Sequence, residues 1–123
     1  MIRVTVQWTD TAKKQLVGLP KKAQRGLARK VGSLADSDPR RAGKALVGPF
    51  MGYRRITYGR YRALFSADEH KLANGNILIH MKVTVVAVGI RKERDRHDVY
   101  KVAKKLVDLG IIPSHETQDD EHE

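Results

Sequence analysis

Three arginines occupy positions from which a phosphate could be gripped. Arg55 precedes and Arg62 follows the dipeptide Gly59-Arg60, and Arg91 closes a later apolar run. A two-residue connection that begins with glycine suits a type II′ hairpin, pairing Tyr58 with Tyr61, Ile56 with Ala63 and Arg54 with Phe65. Directly opposed residues share a face of a sheet, and the face holding these pairs is mostly apolar. Tyr53, Arg55, Thr57, Arg62 and Leu64 therefore belong to the opposite face. In the later run Val86, Val88 and Ile90 form one apolar set, leaving Ala87, Gly89 and Arg91 on the other side. If that apolar set joins the core, Arg55, Arg62 and Arg91 converge on one open sheet surface. Each guanidinium there offers a planar fork of donors that matches phosphate oxygens. The same alternation also fits a solvated face without a ligand, and a bulge would break the parity. On this parity neither Arg62 nor Arg91 packs against much, so replacing either is expected to spare the fold.

The elements that hold these residues follow from periodicity. Ile2 to Trp8 alternates with period two, a strand pattern. Thr9 or Asp10 can cap a following helix. Leu16, Leu19, Ala23, Leu27, Val31 and Leu34 then recur at helical spacing, and Pro20 suits the start of a second helix. Two antiparallel helices, 10–18 and 20–35, are expected, ended by Asp36-Ser37-Asp38-Pro39, with a short helical turn over 40–47. Strands follow over 53–58 and 61–66, then a loop or second hairpin over 67–76, then a Val- and Ile-rich strand over 77–90. Helical spacing returns from Arg96 to Leu109, with Val99, Val102, Ala103 and Leu106 inward, and Gly110 and Pro113 stop it. The order is β-α-α-β-β-β-α, an α+β fold with a mainly antiparallel sheet packed on helices.

The 123 residues fit one domain, expected over 1–113, and 41% hydrophobic content is enough for a core. Residues 114–123 read as an acidic tail, expected to be disordered. The formal charge is +10, and because the last eight residues hold five acids and no base, residues 1–115 carry +15. A domain so basic suits an anionic partner such as nucleic acid. The absence of cysteine rules out disulfides, thiol nucleophiles and thiolate zinc sites. The five histidines show no HxxxH or HExxH spacing, and there is no P-loop, GxGxxG or GxSxG, so neither metal nor cofactor is expected. No apolar run approaches a membrane span and no signal-peptide pattern is present, which gives the expectation of a cytoplasmic protein without membrane contact.

The run Gly52-Tyr53-Arg54-Arg55-Ile56-Thr57-Tyr58-Gly59-Arg60-Tyr61-Arg62-Ala63-Leu64-Phe65, then Val83 to Arg91 with its VxxVGxR pattern, then Asp98-Val99-Tyr100, resembles the RelE/ParE toxin superfamily. The resemblance implies a small toxin of a bacterial type II toxin–antitoxin pair, closer to the RelE-like branch, partnered by a cognate antitoxin and oligomeric only through it. RelE-like members cut mRNA on the ribosome, whereas ParE-like members inhibit DNA gyrase without catalysis. An inactive relative that only binds nucleic acid is a third reading.

On that resemblance Arg55, Arg62, Arg91 and Tyr100 fall at the catalytic places, and Thr57 stands where RelE carries a lysine. Arg54, Arg60, Lys92 and Lys101 join Arg55 and Thr57 as candidate phosphate contacts. RNA is cut without metal when its own 2′-hydroxyl attacks the adjacent phosphate, which requires held geometry, stabilised charge and two proton transfers. Arg62 and Arg91 are then candidates for charge stabilisation, Arg55 for holding the backbone, and Tyr100 for base stacking or proton transfer. His97 is the imidazole nearest the motif and a candidate acid–base group.

Overall fold

Alternation in Ile2–Trp8 (β1) turns Val4, Val6 and Trp8 inward and leaves Arg3, Thr5 and Gln7 exposed. The structure, a computed structural model, describes residues 2–74 and 76–114, with side chains described outside 72–78. The Thr9 hydroxyl accepts from the Ala12 N–H and starts α1, Asp10–Val17. Pro20 stands just before α2, Lys21–Gly32, which tightens into a 3₁₀ turn over Ser33–Asp36.

Five strands form one sheet in the order β1-β5-β4-β3-β2. The others are Lys44–Ala45 (β2), Arg54–Tyr58 (β3), Tyr61–Asn74 (β4) and Asn76–Ile90 (β5). β1 runs parallel to β5, and every other pairing is antiparallel. The hairpin register is the expected one, with Tyr58 opposite Tyr61 and Arg55 opposite Leu64. Gly59 makes the turn at φ +57. Ala12, Leu27, Val31 and Leu34 pack on Ala63, Phe65, Val83, Val85 and Val88, and this is the larger core. Burying a side chain such as Phe65 or Leu27 stabilises by ~1.5–3 kcal/mol.

The opposite sheet face is not open. Helix α3, Val99–Asp108, lies on it, and Ala103 and Ile112 close a second core with Tyr53, Leu64, Val86 and Ala87. The order is helices, sheet, helix, an α+β fold. A β-bulge explains the one parity error: Leu64 faces Ala87 but Phe65 faces Val85, so Val86 is the extra residue. Val86 and Ala87 both turn to α3, while Val85 and Val88 both turn to α1 and α2.

Residues 40–47 are not helical. Gly43 has φ +64 and runs so close to β3 that a Cβ there would lie 1.9 Å from the Arg55 carbonyl oxygen, and β2 pairs with β3 immediately afterwards. A 3₁₀ turn follows at Gly48–Phe50. The polar stretch 67–76 belongs to the second hairpin, since β4 pairs with β5 as far as Asn74 opposite Asn76. Its exposed Asp68, Glu69, His70 and Lys71 hid it, because these four consecutive residues lack apolar alternation. Of the acidic tail expected over 114–123, residues 115–123 lie outside the described residues.

Two glycines of α2 should respond oppositely to alanine. At Gly26 a Cβ would fall 2.3 Å from the Tyr58 ring, whereas at Gly32 it meets nothing within 4 Å. Gly26→Ala is expected to destabilise by ~1–3 kcal/mol through overpacking. Gly32→Ala should stabilise by ~0.5–1 kcal/mol, the usual helix gain. Denaturant melts of both variants check the pair, and equal shifts would contradict the close approach of α2 to β3.

Candidate functional site

The turn Gly59-Arg60 sets the register that places Arg55 on the α3 face of β3, opposite Lys44 on β2 and Leu64 on β4. Arg91 immediately follows β5, and its backbone N–H donates to the Arg60 carbonyl at 2.6 Å. Tyr100 stands in the first turn of α3, and its position is fixed by Asp98. This aspartate is the N-cap and is 1% exposed. One of its oxygens accepts from the Lys92 N–H at 2.7 Å. The other accepts from the Tyr100 N–H at 3.1 Å and from Arg91 Nη1 at 2.9 Å. One buried carboxylate thus ties the end of β5, the intervening loop and the start of α3.

The result is an arginine–tyrosine–arginine cluster. Arg55 Nη1 donates to the Tyr100 hydroxyl at 2.9 Å. The Arg91 guanidinium carbon lies 5.0 Å from the Tyr100 ring centroid, in cation–π range. The Phe50 ring also meets Tyr100, at 5.8 Å between centroids and 55° between planes. Beside the cluster a groove of 660 Å³ is lined by Pro49, Phe50, Arg91, Arg94 and Tyr100, by Lys101, Lys104 and Lys105 of α3, and by two acids, Glu93 and Asp98. Because the phenol oxygen accepts from Arg55, its own proton is free to be donated elsewhere. Aromatic faces beside a row of cations suit a base and its phosphate.

Not every residue expected here arrives. Arg62 has its Cβ on the correct face, but its Nη1 donates back to the carbonyls of Gly59 and Tyr61 at 2.9 and 3.1 Å. Its Nε is buried without an acceptor, and the side chain does not line the groove. Arg91 is half-exposed and ion-paired, so the expectation that it is free of structural work is corrected. Arg54 lies on the α1–α2 side, where its Nε clamps the Ala42 carbonyl at 2.7 Å. Thr57 and Arg60 are exposed on the hairpin, and Lys92 pairs with Asp95 at 3.4 Å. Lys101 lies in the groove wall.

His97 points elsewhere, lining a separate hollow with Gln15, Leu19, Gly89 and Val99. Its backbone N–H and ring nitrogen both meet Asp95 Oδ1, at 2.8 and 3.2 Å. That backbone N–H, helped by Lys92, holds the Asp95 carboxyl below the usual range. Burial first, and then Asp68, pushes the Tyr53 phenol up to about 12, and its hydroxyl donates to the Pro113 carbonyl at 2.5 Å. Tyr53 therefore serves the second core.

Several site residues escaped the sequence reading. Lys44 neighbours Arg55 across β2, a strand of two residues and too short to show a period. Phe50 sits on a 3₁₀ turn. Asp98 had a usable signature, an aspartate directly before a helical apolar stripe. Arg94, at φ +67, is the one non-glycine residue in the left-handed region among those described, and it lies on the groove rim.

No family model matches the chain, and no curated protein matches it. Solved structures do. The crystal structure of the toxin–antitoxin complex RelBE2 from Mycobacterium tuberculosis contains a chain 26% identical, with a TM-score of 0.57, covering 74% of this chain and 94% of that one. A mutant of the E. coli toxin RelE in the free state is 19% identical, with a TM-score of 0.56, covering 85% of this chain and 98% of that one. The chain has a RelE-like fold. It is the toxin fold of type II toxin–antitoxin systems. In this RelE-like chain the cluster sits where α3 meets the sheet and takes one residue, Arg55, Arg91 or Tyr100, from each of the three sequence stretches that carry the resemblance. Among the described residues no helix is long and apolar enough to cross a membrane, and no three metal-ligating side chains group together.

Proposed function

We propose that the protein is a RelE-like toxin that cleaves mRNA on the ribosome without a metal ion and is neutralised by a cognate antitoxin. The observation that carries this reading is Tyr100 held between Arg55 and Arg91 at the edge of a basic, aromatic groove. The RNA 2′-hydroxyl attacks the adjacent phosphorus, leaving a cyclic phosphate on one fragment and a 5′-hydroxyl on the other. Arg91 faces the negative charge that gathers on the phosphorane, and Arg55 orients Tyr100. Tyr100 gives its proton to the departing 5′-oxygen, and its ring, with Phe50, offers a surface for a base. The proton of the attacking 2′-hydroxyl passes to solvent water, which balances the proton that Tyr100 gives up. His97 is left out because it faces the hollow beside α1. The RelBE2 toxin was crystallised with its antitoxin, which supports an antitoxin partner for this chain.

Induced expression should halt translation while DNA supercoiling stays normal. Tyr100→Phe keeps the ring and removes the proton, so ribosome-dependent cleavage should fall by ~100-fold or more while binding to the ribosome persists. Arrest of supercoiling with translation intact would replace this reading with gyrase inhibition.

A further inference from the structure

A row of cations runs along α3 beside the groove, formed by Lys101, Lys104 and Lys105 with Arg91 and Arg94. Two of these have acidic partners: Arg91 meets Asp98 at 2.9 Å, and Lys104 meets Asp108 at 2.6 Å. Among the described residues, Arg94, Lys101 and Lys105 have no acidic partner.

The chain leaves the fold beyond the C-terminal end of α3, the helix that carries three of these cations. After α3 the backbone reverses, and the N–H groups of Ile111 and Ile112 both donate to the Leu106 carbonyl, at 2.9 and 3.1 Å. Ile112 is buried and the Pro113 carbonyl is held by Tyr53, so Ser114 stands two residues beyond Ile112, which is bonded to the Leu106 carbonyl of α3. The nine residues that follow, His115 to Glu123, include five acids (Glu116, Asp119, Asp120, Glu121 and Glu123) and no Lys or Arg. Nine extended residues span up to ~30 Å. A ten-residue helix such as α3 is only ~15 Å long. The segment therefore reaches every cation of the row.

We propose that residues 115–123 dock across Arg94, Lys101 and Lys105 as an acidic strap of the same chain, competing with polyanions for the groove. Only the identity of the displaced polyanion rests on the ribonuclease reading. The strap has no large apolar side chain, so its attraction is Coulombic and fades as the screening length shrinks from ~10 Å at 0.1 M salt to ~3 Å at 1 M. A short tether supplies an effective concentration in the millimolar range, so a weak contact still lowers the affinity of a competing RNA by ~2- to 10-fold.

The chain has no cysteine, so Glu121→Cys accepts a single nitroxide label on the full-length protein. At about 20 mM salt the label should broaden the backbone amide signals of Arg94, Lys101 and Lys105 more than those of Lys13 and Lys22, and about 0.5 M salt should abolish the difference. Equal broadening on both sides of the molecule, or none, overturns the proposal. So does broadening that appears when labelled chain is mixed with an isotope-labelled, unmodified one, which would make the contact intermolecular. This readout needs neither RNA nor ribosome, so it fails or succeeds apart from the ribonuclease reading. Converting the five acids to their amides should tighten binding of a short oligouridylate by ~2- to 10-fold at low salt and leave it unchanged at high salt. Equal affinities throughout would overturn the competition.

Discussion

Asp98→Ala is expected to lower the melting temperature by on the order of 10 °C and to cost more activity than unfolding explains. Three donors converge on this buried carboxylate: two backbone N–H groups and the Arg91 guanidinium. Losing the helix cap costs ~0.5–2 kcal/mol, and losing the charged hydrogen bond adds to it, for ~2–4 kcal/mol in all. At a temperature where the variant is still folded, Arg91 and Tyr100 are no longer held together, and a shift near 1 Å costs ~100-fold in rate. Asp98→Asn should rescue little, because its amide N–H₂ must face one of the donors. Thermal melting beside ribosome-dependent cleavage, measured well below both midpoints, separates the two effects. An unchanged melting point would contradict the three-bond anchor, and a lowered one with parental cleavage would confine Asp98 to folding.

Arg91→Ala should reverse that balance, with a large loss of cleavage and a smaller loss of stability. Removing a donor aimed at a developing anion costs ~100- to 1,000-fold in rate. Asp98 keeps its two backbone donors, and the Arg91 side chain is 35% exposed. Solvent screening therefore holds the stability cost near the low end, ~1 kcal/mol. Arg91→Lys should restore much of the ion pair and little of the rate, since a point charge cannot present two parallel donors. The two residues are coupled: combining Arg91→Ala with Asp98→Ala should destabilise by ~0.5–3 kcal/mol less than the sum of the single changes. Arg62→Ala is the comparator, and its smaller expected effect on cleavage follows from a guanidinium turned back onto its own hairpin. If Arg62→Ala abolishes cleavage and Arg91→Ala spares it, the cluster is wrongly composed.

Two of the three arginines first picked out by parity do meet at the cluster. The reason is local, since Gly59 fixes the hairpin register and the register fixes which way each Cβ points. For Arg62 that was not enough. Its long side chain chose nearby carbonyls, a competition that alternation does not reveal. His97 shows the same gap between sequence and space. Two turns, with Asp95 N–H on the Lys92 carbonyl and Asp98 N–H on the Asp95 carbonyl, fold the loop so that the imidazole faces α1. The helices were legible because each buries one stripe, and Thr9 and Pro20 marked their starts. The reach of the second hairpin was not, because four consecutive residues of β4, Asp68 to Lys71, are exposed and show no apolar alternation. The start of α3 was misplaced: helical spacing was expected from Arg96, whereas Asp98 caps a helix that begins at Val99, and its second role as partner of Arg91 depends on contacts made only after folding.

The extra residue at Val86 makes β5 tolerant of a change in its own length. Leu64 already faces Ala87 and Phe65 already faces Val85, so losing Val86 would leave a regular ladder. Arg91 would remain on the α3 face. In an unbulged strand the same loss would turn every later side chain over and send the arginine into the larger core. During divergence, the strand can therefore gain or lose one residue here while the cluster stays where it is. Counting residues from the strand to the arginine then locates the site only to within one position, whereas the pairing partner of each residue locates it without ambiguity.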